Sequence, residues 1–224
     1  MTAVFLSATG TDIGKTFIAD GIIRTARRRG RVVAAVKPVV TGFEQWSLPA
    51  SDPARLLAAL DRPASAEQVA RISPFRFRAA LAPDLAARHE GRQLDFAALV
   101  AFSREAIAAN PDLLLIEGIG GVMVPLDARH TVLDWMAELR LPVVVVAGSY
   151  LGTISHSLTA LAVLRQRQIE VAALVVSETA GSTVPLADTV ASIARFAAGV
   201  EVLALPLIAP GAGHGVFSRL VDLL

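Results

Sequence analysis

Six short apolar runs punctuate the chain: Val4–Leu6, Val32–Val36, Leu113–Ile116, Val143–Ala147, Ala172–Val176 and Val202–Leu205. They are rich in Val, Leu and Ile and do not alternate with polar residues, which predicts strands buried on both faces. Helical stretches are expected between most of them, at Lys15–Arg28, Phe96–Ala109, Val132–Leu139, Ile154–Arg167 and Pro185–Ala197. Residues 52–90 add Ala-rich helical pieces broken by Pro63, Pro74 and Pro83. Strand–helix alternation predicts an α/β fold, with a mostly parallel central sheet and helices on both faces. There is no internal repeat, low-complexity tract or Gly/Pro/Ser-rich linker. Residues 1–224 are therefore expected to form a single domain, a length one α/β unit can reach.

Composition narrows the picture. Hydrophobic residues make up 54% and charged residues 18%, enough apolar content for a large core and too much for disorder. The formal net charge is +1. The basic run Arg27-Arg28-Arg29 and Arg31 ends a predicted helix, where cations suit the dipole, so nucleic acid is not an expected partner. With no cysteine, disulfides, thiolate metal sites and cysteine nucleophiles are excluded. The stretch between Arg140 and Arg165 lacks charge and is long enough for a bilayer span. Pro142, the β-branched run Val143–Val146, Gly148, Gly152 and the hydroxyl-rich segment that follows predict a strand, a turn and a helix instead. The N-terminus has no signal-peptide pattern, and a soluble cytoplasmic protein without membrane contact is expected. The four histidines, at 89, 130, 156 and 214, show no metal-ligand spacing.

Parallel sheets bind ligands beyond the carboxyl ends of their strands, so the polar residues after each run carry the candidate chemistry. After the first comes Thr9-Gly10-Thr11-Asp12-Ile13-Gly14-Lys15-Thr16. A phosphate loop usually reads G-x-x-x-x-G-K-[ST], which would place a glycine at position 9, where Thr9 stands. The end of the pattern is intact. Gly14-Lys15-Thr16 opens a helix, whose N–H groups attract phosphate, with Lys15 for the β/γ-phosphates and the Thr16 hydroxyl for Mg²⁺. The third run ends in Glu117, as a metal-side carboxylate does in nucleotide hydrolases; alone, such an acid is as readily an exposed loop residue. Together they predict a Mg²⁺–nucleoside triphosphate site. A dinucleotide site is disfavoured because no G-x-G-x-x-G follows the first strand. Of 21 basic residues only Lys15 and Lys37 are lysines, each just after a predicted strand. Lysine is a compact charge that can address one phosphate oxygen, where arginine is a wide fork.

The loop Ala8–Thr16 resembles the G-T-D-T-[DE]-V-G-K-T loop of dethiobiotin synthetases, with Thr9, Thr11, Asp12, Gly14, Lys15 and Thr16 in register and Ala8 and Gly10 departing from it. Further matches follow in order. Lys37-Pro38-Val39-Val40-Thr41-Gly42 resembles K-P-V-x-[ST]-G, Ser51-Asp52 resembles S-D, and Glu117-Gly118-Ile119-Gly120-Gly121 resembles E-G-A-G-G. Leu151–His156 resembles L-G-x-[IL]-N-H, with Ser155 for Asn. The resemblance implies ATP-dependent carboxylation and ring closure of 7,8-diaminononanoate with CO₂, in biotin biosynthesis, on a P-loop NTPase-like fold. It implies Lys37, Lys15 and Thr11 as catalytic residues, and Thr16, Asp52 and Glu117 around Mg²⁺. Asp52 also reads as part of a helix cap before Pro53. Nucleotide contacts are implied at Asp12, Ile13, Gly14, Lys15, Thr16, Phe17, Glu117, Gly118, Ile119, Gly120, Ser177, Glu178, Pro206, Leu207 and Ile208. Substrate contacts are implied at Thr41, Gly152, Thr153 and Ser155, the last three across a homodimer interface. Ser177 stands where the family has an Asn that reads adenine; a hydroxyl lacks the paired donor and acceptor of an amide.

Two other classes share this fold. A septum- or chromosome-partitioning switch ATPase would have the same sheet and Gly-Lys-Thr loop, but usually carries an additional Lys early in the loop, where this chain has Thr9-Gly10-Thr11. A regulatory domain that binds nucleotide without turnover fits the same motifs. An amidotransferase of the cobyrinate type is not expected, since it needs a glutaminase domain with a cysteine nucleophile and these 224 residues hold no cysteine.

Overall fold

The computed structural model describes residues 2–224. Six strands, β1 (Thr2–Ala8), β2 (Val33–Val36), β5 (Leu113–Glu117), β6 (Val143–Gly148), β7 (Val171–Ser177) and β8 (Val202–Leu205), form one sheet in the order β2-β5-β1-β6-β7-β8. Every pairing in it is parallel. Two two-residue strands, β3 (Val39–Val40) and β4 (Phe75–Arg76), pair separately. All six predicted strands are present, most extended by a residue or more. Val32 is the exception: it is 66% exposed and precedes β2.

The helices are α1 (Lys15–Arg28), α2 (Asp52–Ala59), α3 (Ala66–Ile72), α4 (Pro83–His89), α5 (Phe96–Ala108), α6 (Val132–Leu139), α7 (Thr153–Gln166), α8 (Leu186–Phe196) and α9 (Gly215–Leu223). A short 3-10 turn occupies Gln45–Ala50. The uncharged stretch after Arg140 forms β6, a turn and α7. Among the described residues no helix is long and apolar enough to cross a membrane.

One continuous core joins sheet and helices. Its central strands are buried throughout, which is why they read as unbroken apolar runs. Trp135 of α6 packs edge-on against Phe5 of β1, with ring centroids 4.7 Å apart. Its indole N–H donates to Ser103 Oγ at 3.1 Å, so the buried polar atom of this large side chain is satisfied.

Register carries the fold into the site. β1 pairs with β5 so that Leu6 lies opposite Glu117, and β2 pairs with β5 so that Val36 lies opposite Ile116. Lys37, one residue past β2, therefore emerges beside Glu117. The loop after β1 leaves the sheet at the same edge, anchored by the Thr9 N–H to Val146 O at 2.9 Å.

Candidate active site

Helix starts show where the chain leaves backbone donors available. The side chains of Ser51, Ser65, Asp95 and His214 cap α2, α3, α5 and α9. Thr131 and Asp134 form a capping box on α6. α4 and α8 lack a side-chain cap but carry Asp84 and Asp188 in their first turns. Among the described helices, α1 and α7 alone have neither a side-chain cap nor an acid in the first turn. Each starts instead from a left-handed glycine, Gly14 (φ 99°) and Gly152 (φ 97°). Uncapped N–H groups with a helix dipole behind them suit an anion.

At α1 the anion site is built in depth. The Lys15 ammonium donates back across the loop to Gly10 O at 3.1 Å and to Gly120 O at 3.0 Å. It thus stitches the loop after β1 to the loop after β5. That second loop approaches closely because Gly118 has no side chain; a Cβ there would lie 2.7 Å from the Phe5 ring. The Thr16 hydroxyl donates to Glu117 Oε1 at 2.6 Å, joining residues 101 positions apart. The Lys37 ammonium donates to the same oxygen, and pairs with Asp52 Oδ2 at 2.8 Å. Glu117 is 1% exposed and Lys37 4%, so this is a buried charge cluster.

Its electrostatics follow from that burial. Burial is the largest influence on Lys15, and with the neighbouring Lys37 charge it lowers the Lys15 pKa to about 8. Burial also works against the Lys37 ammonium, but the Glu117 and Asp52 carboxylates outweigh it and hold Lys37 above the ordinary lysine value. Burial would raise Asp52; the Lys37 charge and hydrogen bond prevail and hold it below the ordinary carboxylate value.

Lys15, Lys37 and Asp52 border a cavity of about 290 Å³, with Glu117 buried behind them. The structure brings Thr11, Asp12, Gly14, Lys15, Thr16, Phe17, Lys37, Thr41, Asp52, Ile119 and Gly120 to its lining. Asp52 is drawn in because Ser51 performs the cap: Ser51 Oγ accepts from the Ala54 N–H at 3.4 Å, leaving the Asp52 carboxylate to Lys37. Arg55 also lines the cavity. Sequence reasoning missed it; its spacing three residues after Asp52 on an amphipathic helix was the available signal.

Ile13, Gly118, Ser177, Glu178, Pro206, Leu207 and Ile208 are not in the cavity lining. Ser177 ends β7 against the phosphate loop; a Cβ on Gly14 would stand 3.2 Å from its Oγ. The Glu178 carboxylate accepts the Leu207 N–H at 2.9 Å and so fixes the segment Pro206-Leu207-Ile208 after β8. Ile13 packs on the core, and the Gly118 N–H donates to Leu6 O at 2.9 Å. Gly152, Thr153 and Ser155 do not line the cavity. Both Thr153 donors are already used here: its hydroxyl reaches Gly148 O at 2.7 Å and its N–H Tyr150 O at 3.1 Å. The next N–H groups in the first turn of α7, those of Ile154 and Ser155, have no carbonyl one turn earlier in the helix to pair with.

The donor set also suits a hard cation. Thr16 Oγ1, Asp52 and Glu117 converge, and Glu117 Oε2 is buried without a hydrogen-bond partner among the described residues. Two carboxylates and a hydroxyl are oxygen donors of the kind Mg²⁺ takes, with water and phosphate completing its shell. No group of three or more His, Cys, Asp or Glu placed to hold a metal gathers anywhere among the described residues, this site included.

A parallel sheet whose first strand runs through Gly-Lys-Thr into an uncapped helix, with an acid at the end of the adjacent strand, defines a phosphate-loop NTPase. The match to a family model described as an AAA domain, over residues 2–209, agrees with that class. Solved structures share the fold. The Aquifex aeolicus MinC:MinD cell division complex superposes at a TM-score of 0.54, with 11% identity over 100% of this chain and 85% of that one. A ParA family ATPase from Chlorobium tepidum gives 0.52, with 15% identity over 92% and 84%. At such identity they speak to the fold alone. Sequence relatives are far nearer. An ATP-dependent dethiobiotin synthetase BioD of Methylobacterium nodulans is 50% identical over 91% of this chain and 92% of its own length. That of Caulobacter vibrioides is 48% identical over 100% and 99%, and that of Phenylobacterium zucineum 44% over 97% and 92%. The chain belongs to the ATP-dependent dethiobiotin synthetase family.

Proposed function

We propose that this chain, acting as a single domain, closes the ureido ring of dethiobiotin from 7,8-diaminononanoate, CO₂ and ATP. One substrate amine attacks CO₂ and loses a proton, giving a carbamate. A carbamate oxygen attacks the γ-phosphorus and ADP departs, leaving a carbamic-phosphoric anhydride. The second amine attacks the carbonyl carbon, loses its proton and expels phosphate. No protein nucleophile is required; the site must position two anions and offset their repulsion.

The observation that carries the reading is the buried Lys37, charged between Glu117 and Asp52 and lining the same cavity as Lys15. Lys15 and the N–H groups of α1 hold the β- and γ-phosphates, and the phosphate charge restores the full ammonium on Lys15. Lys37 faces the carbamate and the transferring phosphoryl group, while Thr11 and Thr41 hold the carbamate or the amines. Thr16, Asp52 and Glu117 would hold Mg²⁺, which neutralises phosphate charge when bound. The segment after β7 and β8, from Ser177 and Glu178 to Ile208, borders the base. A homodimer brings the start of α7, with Gly152 and Ser155, to the substrate carboxylate of the other subunit. Leu151, 88% exposed beside that helix start, suits such a contact.

The test is substrate-gated turnover. ATP consumption should require both the diamine and bicarbonate and match ring product one to one. Steady hydrolysis indifferent to the diamine would favour a switch ATPase and overturn the reading.

A further inference from the structure

We propose that Arg55 is a further catalytic residue of this site: its guanidinium binds the carbamate, through the oxygen that does not attack phosphorus. The inference rests on the function proposed above.

Three cations line the cavity: Lys15, Lys37 and Arg55. Two are already engaged. Lys37 is neutralised by Glu117 and Asp52, and Lys15 is directed by the carbonyls of Gly10 and Gly120. Among the described residues no carboxylate forms an ion pair with Arg55, whereas Arg24, Arg71 and Arg88 all pair with an acid one turn away on their own helices. Arg55 sits three residues after Asp52 on α2, so both project from one helix face. Its charge is felt at the Asp52 carboxylate. It is exposed, so the guanidinium can move without breaking a packed contact.

Position selects the ligand. In the function proposed above the phosphates lie with Lys15 and the start of α1. Arg55 shares a helix face with Asp52, which pairs with Lys37, the group assigned above to the carbamate. A carbamate is a planar oxyanion like a carboxylate, which the guanidinium fork matches better than an ammonium does. Holding one oxygen leaves the other free to attack, and the positive charge offsets repulsion between carbamate and γ-phosphate. It also shifts the amine–CO₂ equilibrium toward carbamate, so the effect should fall on bicarbonate and diamine before it falls on ATP.

The experiment compares wild type with Arg55→Ala and Arg55→Lys. Measured quantities are steady-state rates against bicarbonate and diamine, calorimetric binding of a non-hydrolysable ATP analogue, and thermal melting. Losing a charge-assisted contact should lower kcat/KM for bicarbonate and diamine in Arg55→Ala by about 10–100-fold. ATP-analogue affinity should stay within about twofold and the melting temperature within about 2 °C, as for an exposed side chain. Arg55→Lys should remain impaired, and millimolar guanidinium should partly restore Arg55→Ala. Wild-type kcat/KM in Arg55→Ala overturns the proposal. So does a loss of ATP-analogue affinity that matches the loss of turnover, which would place Arg55 on the phosphates, or a drop in melting temperature without guanidinium rescue, which would make it structural. If the wild type shows no diamine-dependent turnover, the reading of the function itself fails; that result is separate from an active wild type with an equally active Arg55→Ala.

Discussion

Replacing Lys37 by Gln removes the charge that Glu117 and Asp52 share. Breaking a buried ion pair by deleting one partner typically costs about 3–5 kcal/mol. The lower end applies here. Glu117 keeps the Thr16 hydroxyl at 2.6 Å, and the Asp52 side chain, 42% exposed, can turn to water. A loss of about 3 kcal/mol should move the urea midpoint by about 1 M, given slopes of about 2–3 kcal/mol/M for a chain of this size. A Lys37→Gln/Glu117→Gln double variant should recover at least about 1 kcal/mol relative to the sum of the two single losses, because neither member of the Lys37–Glu117 pair is left as a lone buried charge. Turnover should behave differently. If Lys37 stabilises the transferring phosphoryl group, kcat in Lys37→Gln falls by about 10²–10³-fold. ATP affinity changes less, because Lys15 and the α1 donors still hold the phosphates. Lys37→Arg keeps the charge but not the shape, and should stay well below wild type. Urea titration, single-turnover product formation and ATP-analogue binding measure these separately. A Lys37→Gln protein with near wild-type kcat would remove the residue on which the proposed chemistry turns.

Other expectations are independent of that one. Glu117→Gln should fold but require more Mg²⁺ for nucleotide binding, since it removes one negative charge from the cation's surroundings; an unchanged Mg²⁺ titration would make Glu117 structural. With Ser177 beside the loop in place of an amide, GTP and CTP should compete with ATP better than in a Ser177→Asn variant, by up to about 1–3 kcal/mol of discrimination. Strict ATP preference in both proteins would mean that another group reads the base. Asp134→Ala should cost about 1 kcal/mol at neutral pH by removing the acid half of the α6 capping box. The Asp134 carboxyl is held below its ordinary value of 3.8: burial opposes ionisation, but the Thr131 N–H and hydroxyl and the Arg167 charge prevail. Its contribution is therefore present above about pH 4 and is lost as pH falls through the depressed folded value. Melts at pH 7 and in acid should show the gap between wild type and Asp134→Ala closing, and a gap of constant size would refute the assignment.

The phosphate loop and α1 were legible in the chain because their physics is local. A strand ending at Ala8, a left-handed Gly14 and a helix with no competing cap act within eight residues, so Gly14-Lys15-Thr16 announces an anion site. The six core strands were legible because burial on both faces forces an unbroken apolar run. Shorter pieces escaped. β3 and β4 hold two residues each, too few to establish a period, and α9 follows the Gly-rich segment 211–215 that masks its start. Asp52 could be either a cap or a site residue until packing showed Ser51 as the cap. Arg55 stayed hidden because an arginine on a surface helix is unremarkable until α2 is set against the mouth of the cavity. The charge cluster itself was decided only in three dimensions. Lys37 and Glu117 are 80 positions apart, and they meet because the pairing of β2 with β5 sets Val36 opposite Ile116. Sequence fixes which side chains are available at each strand end, since that depends on neighbours along the chain; strand order and register decide which ends converge, since those depend on packing between elements distant in the chain.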